Sequence, residues 1–417
     1  MVIEKFICHM ARKKNANYLR FVPGVSYEVP RPGNAIPRLL YIHVPFCEEL
    51  CPYCSFNRVV FREEIARAYF EALRKEIRMY GDLGYDFRAV YVGGGTPTVL
   101  MDELSETMKL VNGLFRIDEA SVETNPNHLT EGNIVLLKNM GVKRLSVGVQ
   151  TFDDGILKAV ERFHKYGSGE EIARKLGATM GRFDTLNVDM IFNFPTQTME
   201  MLEKDLNVLL GLAADQVTFY PLMVSTSTEK IMGKKLGRVD YDRGRDFYMM
   251  ITDALKENYH HSTAWCFSRN TAMIDEYVVN YDEYAGLGSG SIGYLGGSVY
   301  ANTFDIADYI ERLKRNEFPV AARKDCGIRE RLLYDFLMKL FGTTLDLDEL
   351  SEKHGVNAPF LLLPEVSFFH MAGGLKKSGN ILTLTPKGQY YWVIMMREFF
   401  IAVNNFRDYC RALIKTV

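Results

Sequence analysis

Between residues 38 and 223 the chain alternates six short β-branched runs with helical stretches, and this alternation limits the fold more than any other feature. The runs are LLYIHVP, AVYVGGG, SVETNP, RLSVGVQ, TLNVDMIFNF and QVTFYPLM. Between them lie EEIARAYFEALRKEIRMYG, DELSETMKLVNGLF, EGNIVLLKNMG and EMLEKDLNVLLGL. Six βα units in a row predict a parallel sheet with right-handed crossovers. The runs are apolar almost throughout, as strands covered on both faces are. An open sheet and a partial barrel both fit, and in either the C-terminal strand ends carry the chemistry. Several unusual residues fall there: three cysteines after the first run, Gly93, Gly94 and Gly95 after the second, Glu123 and Asn125 at the third, Gln150 at the fourth, and Asp189 and Asn193 along the fifth.

The cysteines are Cys47, Cys51 and Cys54. Their spacing would share one face of a helix. Pro52 argues against a helix, since an interior proline costs about 3 kcal/mol, and Pro45 pushes Val44 towards extended geometry. The segment therefore reads as a loop closing three thiolates on one point, a metal site. Structural zinc takes four ligands, and the nearest fourth is His43, on a strand whose side chains alternate. An iron–sulfur cubane takes one cysteine per iron, so three would leave one iron open to a ligand that is not protein. The scattered Cys8, Cys266, Cys326 and Cys410 read as buried hydrophobes, not a disulfide framework.

The C-x3-C-x2-C pattern with Tyr53 before its last cysteine resembles the radical S-adenosylmethionine (SAM) superfamily. YIHVPFC, YVGGGTPT, VETNP, RLSVGVQTF, RFH and DMIFNFPTQT resemble its oxygen-independent coproporphyrinogen III oxidase-like branch. That branch includes coproporphyrinogen III dehydrogenases, haem chaperones, haem ring-opening enzymes and certain radical SAM methyltransferases. The resemblance implies an α/β fold, a partial (β/α)6 TIM-like barrel, over residues 38–225. The expected remainder is an N-terminal extension (1–37), a substrate-side region (226–325) and a smaller, mostly helical, winged-helix-like domain (326–417). The last is read from a helix, a second helix, a short hairpin and a final helix.

The resemblance also implies a [4Fe–4S] cluster on Cys47, Cys51 and Cys54, with SAM chelating the open iron. An electron from the cluster cleaves the sulfonium, and the resulting 5′-deoxyadenosyl radical takes a hydrogen atom from substrate. Gly94, Gly95 and Thr96, in GGGTPT, would meet the methionyl amine, since glycines let a ligand approach the backbone. Glu123, Gln150, Arg162 and Asp189 are implied SAM contacts. A carboxylate ending an apolar strand, as Glu123 does, is costly unless paired, and the alternative partners are Arg144 and Arg162. Arg162 can clamp a carboxylate at two points. Tyr41 resembles a family tyrosine near the sulfonium, and Tyr53 can stack on adenine. His43 shares a strand face with Tyr41. Phe219 and Tyr220 are candidates for the nucleoside pocket. EYAGLGSGSIGY resembles a substrate-side stretch whose glycines would make turns.

The expected reaction is that of a radical SAM oxidoreductase on a tetrapyrrole or another planar, partly apolar substrate, fed by a flavodoxin- or ferredoxin-type donor. Oxidative decarboxylation, ring opening and methyl transfer all fit, the last with a second SAM; a haem chaperone is the alternative. The chain departs from its relatives in three places. Phe56 stands where the dehydrogenases carry a further cysteine. Asn193 replaces the glycine of D-x-I-x-G-x-P, with bulk that would reshape the pocket. AMIDEYVVNYDEYAG has neither the histidine nor the tryptophan of the chaperones' H-N-x-x-Y-W; His260, His261 and Cys266 are the alternative haem ligands, but they read first as a surface pair and a buried thiol.

A net charge of −2 gives no global field towards nucleic acid or an anionic membrane. No apolar run reaches membrane-span length, and the N-terminus has no signal-peptide core, so a cytoplasmic location is expected. The winged-helix-like end is sparsely basic, and NILTLTPKGQYYW is apolar. It reads as a substrate lid, not a nucleic-acid interface.

Overall fold

A computed structural model describes residues 2–15, 26–33, 36–270 and 277–414. Parts of the expected N-terminal extension and of AMIDEYVVNYDEYAG lie outside the described residues. The six runs form β1 (Leu39–Val44), β2 (Ala89–Gly94), β3 (Glu119–Thr124), β4 (Arg144–Gln150), β5 (Thr185–Phe192) and β6 (Gln216–Pro221). Each pairs in parallel with the next.

The sheet is larger than six strands. Past β6 it continues antiparallel with β7 (His260–His261) and β8 (Cys266–Ser268), in the order β6-β8-β7. On the other side the Gly-rich stretch supplies strands as well as turns. β9 (Tyr284–Leu287) pairs in parallel with β1. β10 (Ile292–Leu295), β11 (Ser298–Asn302) and β12 (Val320–Asp325) then follow antiparallel. Glycine is needed within β9 because a Cβ on Gly286 would sit 2.3 Å from the Ile292 carbonyl oxygen.

The two faces differ, contrary to the expectation of apolar strands throughout. Leu40, Ile42, Val90, Val92, Val122 and Val188 point into the main core, where helices such as Glu63–Asp82 and Met101–Leu114 cover them. The opposite face carries a buried polar layer. Arg144 donates to Gln216 Oε1 at 2.8 Å and Ser121 Oγ at 3.1 Å. Asn187 donates to Ser146 Oγ and accepts from Thr218. Hydrogen bonds between neighbouring strands make this layer tolerable inside a barrel. Residues from β1 to β6, with Tyr284 and Ile292 from β9 and β10, line a single cavity. The sheet therefore curls around that cavity, as the partial-barrel class requires.

The C-terminal region holds the expected helices, hairpin and final helix, with a strand and two further helices, Ala358–Leu361 and Leu363–Met371, among them. Helices Ile328–Phe341 and Leu347–His354 flank β13 (Thr344–Asp346). Then come β14 (Leu375–Ser378), β15 (Ile381–Leu384) and a 29-residue helix, Pro386–Ile414. The small sheet runs β13-β15-β14. No helix among the described residues is long and apolar enough to cross a membrane.

Candidate active site

The cysteine segment is a loop for the reason the prolines gave. Cys54 N donates to Cys51 O at 3.2 Å, closing a turn with Pro52 at its second position, where a fixed φ is favourable. The loop's base is pinned where Phe46–Cys47 pairs with Val59–Val60. Arg58 holds the loop from below, its Nη2 donating to the carbonyls of Cys51 and Cys54, each at 2.5 Å.

All twelve expected site residues line the one cavity, whose volume is about 330 Å³: Tyr41, Cys47, Cys51, Tyr53, Cys54, Gly94, Gly95, Thr96, Glu123, Gln150, Arg162 and Asp189. One expectation needs correcting. Among the described residues no three His, Cys, Asp or Glu side chains converge closely enough to hold a single metal ion, so the thiols face one space and not one point. A cubane spreads its irons and gives each cysteine its own, so this spacing suits a cluster better than one ion. Burial, followed by the charge of Cys54, pushes the Cys47 thiol up to about 11. Metal ligation needs thiolates, so this donor set fits a cationic cluster that supplies the missing positive charge. Thr96 Oγ1 donates to Cys47 Sγ at 3.7 Å and accepts from Asn125 Nδ2 at 2.9 Å.

Glu123 accepts from Tyr91 Oη at 2.8 Å and from Gly94 N at 2.9 Å. Asp189 accepts from Ser146 Oγ and Asn187 Nδ2, both at 2.7 Å. Arg162, 3% exposed, fans over the loop. Its Nη1 donates to Cys51 Sγ at 3.5 Å and Tyr53 Oη at 3.3 Å. Its Nη2 donates to Asn125 Oδ1 and Gly148 O. Its buried Nε has no hydrogen-bond partner among the described residues, a donor left for a ligand. Gln150 ends β4 with φ 78°, at a break in the β4–β5 register.

His43 is not a fourth metal ligand, because both ring nitrogens are used. The Asn57 carbonyl, 2.7 Å from Nε2, can only accept, so the proton sits on Nε2 and Nδ1 accepts from Tyr41 Oη at 3.0 Å. Burial pulls its pKa down to about 3, keeping the ring neutral. Gly94, at φ 117°, crosses directly over this ring, and a Cβ there would lie 2.6 Å from His43 Cε1.

Two further expectations change. Phe219 is fully buried in the main core, and only Tyr220 of that pair reaches the cavity. Asn193 does not reshape the pocket. It adopts φ 68°, a left-handed conformation that asparagine tolerates, and turns its amide to the Asp240 carbonyl at 2.9 Å. His260, His261 and Cys266 agree with the reading as a surface pair and a buried thiol: His260 is exposed, His261 half-buried and Cys266 fully buried on β7 and β8, and none of them lines the cavity. The sequence reading missed which residues form the roof. Met396, Phe399, Phe400, Val403, Asn404 and Arg407 of the last helix line the cavity, with Met338 from helix Ile328–Phe341. These residues belong to the winged-helix-like end expected as a substrate lid, whose hairpin lines none of the cavity. The signal was present as an i, i+3, i+4, i+7 stripe, but it reads equally as a core-facing helix.

This fold and site define a radical SAM protein: the Radical SAM superfamily profile matches residues 41–209, and members of that superfamily bind a [4Fe–4S] cluster and SAM. The Heme chaperone HemW of Lactococcus lactis subsp. lactis (strain IL1403) is 32% identical over 289 residues, covering 66% of this chain and 74% of that protein. The Heme chaperone HemW of Bacillus subtilis (strain 168) is 28% identical over 366 residues, covering 84% and 95%. The fold is that of coproporphyrinogen III oxidase (HemN) from Escherichia coli, with a TM-score of 0.73 at 21% identity over 87% of this chain and 90% of that one. The chain belongs to the branch of the radical SAM superfamily that contains these chaperones and the oxygen-independent coproporphyrinogen III oxidases.

Proposed function

We propose that the protein is a radical SAM enzyme acting on a tetrapyrrole, with Cys47, Cys51 and Cys54 holding the cluster. When bound, the cluster and SAM supply one electron and a 5′-deoxyadenosyl radical. The chain's part is to bind, orient and exclude water. Gly94 and Gly95 pack their Cα faces on His43 and the Phe46 backbone, not against a ligand, and so bring the end of β2 to the cavity wall. Glu123 offers a carboxylate to an ammonium group, and Asp189 offers one to ribose hydroxyls. Arg162 Nε is the donor for a carboxylate, and Gln150 can both donate and accept. Tyr53, held edge-on to Phe194 at 6.1 Å, presents a face for an adenine, and Tyr41 closes the floor.

The observation that carries the tetrapyrrole reading is the roof. Met396, Phe399, Phe400, Val403 and Met338 make an apolar ceiling opposite the polar strand ends, suited to a flat, largely apolar molecule. Anaerobic incubation of reconstituted protein with SAM, reductant and candidate tetrapyrroles, followed by mass analysis, tests it. Expected are 5′-deoxyadenosine and a tetrapyrrole of changed mass. Retention of the cluster and of SAM cleavage in Cys51→Ala would refute the site.

A second reading, a haem chaperone, is supported by the names of the relatives that cover most of the chain. Against it stands the missing H-N-x-x-Y-W histidine and tryptophan. Tight haem binding without 5′-deoxyadenosine from any tetrapyrrole would favour the chaperone.

A further inference from the structure

Arg58 and Arg411 place two positive charges side by side beneath the cysteine loop. Arg58 donates from Nη2 to the carbonyls of Cys51 and Cys54, each at 2.5 Å, and from Nε to the Cys54 carbonyl at 3.1 Å. Arg411, near the end of the last helix, donates to Asn57 Oδ1 at 3.1 Å and to the Arg58 carbonyl at 2.9 Å. All of these acceptors are neutral, and among the described residues neither arginine pairs with a carboxylate. Glu48, the acid next to Cys47, is already engaged: it accepts from Asn127 Nδ2 at 2.9 Å and lies 3.7 Å from His128 Nε2 and 3.9 Å from Lys165 Nζ. Asp408 accepts from Ser227 Oγ. Arg162 is a third cation at the loop, on the ligand side and with partners of its own.

Both arginines are half-buried. Burial pulls the Arg411 pKa down, the charge of Arg58 pulls the same way, and Asp408 and Cys54 oppose them. Two like charges held partly out of water against neutral acceptors are costly unless an anion lies nearby. The carbonyls that Arg58 holds belong to two of the three cysteines. A thiol sulfur stays within about 5 Å of its own carbonyl oxygen, so the guanidinium is within about 8 Å of both sulfurs. A cubane on three thiolates is anionic and gains one more negative charge when a low-potential donor passes it one electron, with no bond formed or broken. Nearby net charge is one of the quantities that set its potential. We infer that Arg58 and Arg411 are a fixed pair of positive charges that favours the reduced state of the cluster and so raises the potential at which it accepts an electron. This rests on Cys47, Cys51 and Cys54 holding the cluster, and it gives the last helix a part in electron uptake as well as in roofing the cavity.

The test is a potential, not turnover. Full-length wild type, Arg58→Gln, Arg58→Lys, Arg411→Gln and Arg411→Lys are reconstituted with iron and sulfide. Each is titrated anaerobically with dithionite and redox dyes, without SAM or tetrapyrrole, and the reduced cluster is read by electron paramagnetic resonance. At an effective dielectric of about 20, one charge within about 8 Å shifts an equilibrium by at least about tenfold, which for one electron is about 59 mV. Arg58→Gln should lower the midpoint potential by about that much or more. Arg411→Gln should lower it by less, and the two lysine variants should stay near wild type. A role confined to holding the loop predicts otherwise, because lysine lacks the planar fork and Arg58→Lys would then follow Arg58→Gln. Iron per chain reports which variants are intact; if the Arg58 variants lose the cluster, the two Arg411 variants decide. An unchanged or raised potential in intact Arg411→Gln, or equal shifts for the lysine and glutamine variants at one position, overturns the inference. Failure of wild type to take up a reducible cluster overturns the cluster assignment beneath it.

Discussion

Replacing Glu76 by Gln should change the pH dependence of stability. Glu76 lies on helix Glu63–Asp82 with no exposed surface. Its carboxyl accepts from Tyr309 Oη at 2.5 Å, Asn302 Nδ2 at 2.8 Å and Gly288 N at 2.9 Å. Burial pushes its pKa up from 4.5 to about 7, although these three donors pull it down. A carboxyl with a raised folded pKa binds its proton more tightly in the native state. The stability this contributes is full below 4.5 and is lost as the pH rises through about 7. The gap converts to about 3 kcal/mol, of which about 2 kcal/mol falls between about pH 5.5 and pH 8. Glutamine does not titrate, so the stability of wild type minus that of Glu76→Gln should drop by about 2 kcal/mol over that range. Urea pulse proteolysis at the two pH values measures the difference, with the variant less stable at the acid end. There its amide NH2 meets the Asn302 donor, a mismatch costing about 1–3 kcal/mol. A difference that does not vary with pH, or that grows with it, would refute a carboxyl raised by burial. The effect reaches the site because Gly288 follows β9 and packs on the His43 carbonyl of β1.

Substitutions at two further positions test the backbone packing around the site. A Cβ on Gly95 would lie 2.6 Å from the Phe46 carbonyl oxygen and 3.0 Å from its C and N. Backbone cannot yield there as a side-chain tip can, so Gly95→Ala should lose most of its reconstituted iron while keeping its far-UV circular dichroism; full iron content would count against this packing. At Asn193, φ is 68°, so Asn193→Val should destabilise by about 1–3 kcal/mol and Asn193→Gly by much less. Equal thermal shifts for the two variants would contradict the left-handed assignment.

The parts of the fold that periodicity controls were legible from the sequence, and so was the site wherever a residue type is rare in its setting. The strands β1 to β6 and the helices between them follow from β-branched runs alternating with helical spacing. Pro52 marked the cysteine segment as a turn, and Glu123 stood out as a carboxylate ending an apolar strand. What escaped depended on pairing across sequence distance. Nothing local in YAGLGSGSIGYLGG says that Tyr284 will pair with Leu39, because glycine suits a turn and a closely packed strand alike. The polar inner layer was hidden because Ser121, Ser146 and Asn187 look like loop residues until Arg144 and Thr218 are seen beside them. The roof was hidden because an apolar helical stripe is the same whether it faces a core or a ligand.

The last helix also ties the roof to the cysteine loop. Its cavity-facing stripe ends at Arg407, and one turn further on Arg411 donates to Asn57 Oδ1 at 3.1 Å and to the Arg58 carbonyl at 2.9 Å. Arg58 in turn holds the carbonyls of Cys51 and Cys54. On its neighbouring face Asn405 and Asp408 accept from Thr226 and Ser227, just beyond β6. The helix is thus fastened both to the cysteine loop and to the end of the parallel sheet, the two walls between which a ligand must sit. A ligand that lifts the roof strains Arg411 and, through Arg58, the turn that spaces two of the three thiols. Loss of order in that turn frees Arg58 and, with it, one anchor of the roof. Filling the apolar half of the cavity and assembling the cysteine half therefore act on the same short series of hydrogen bonds, whether the bound molecule is converted or only carried.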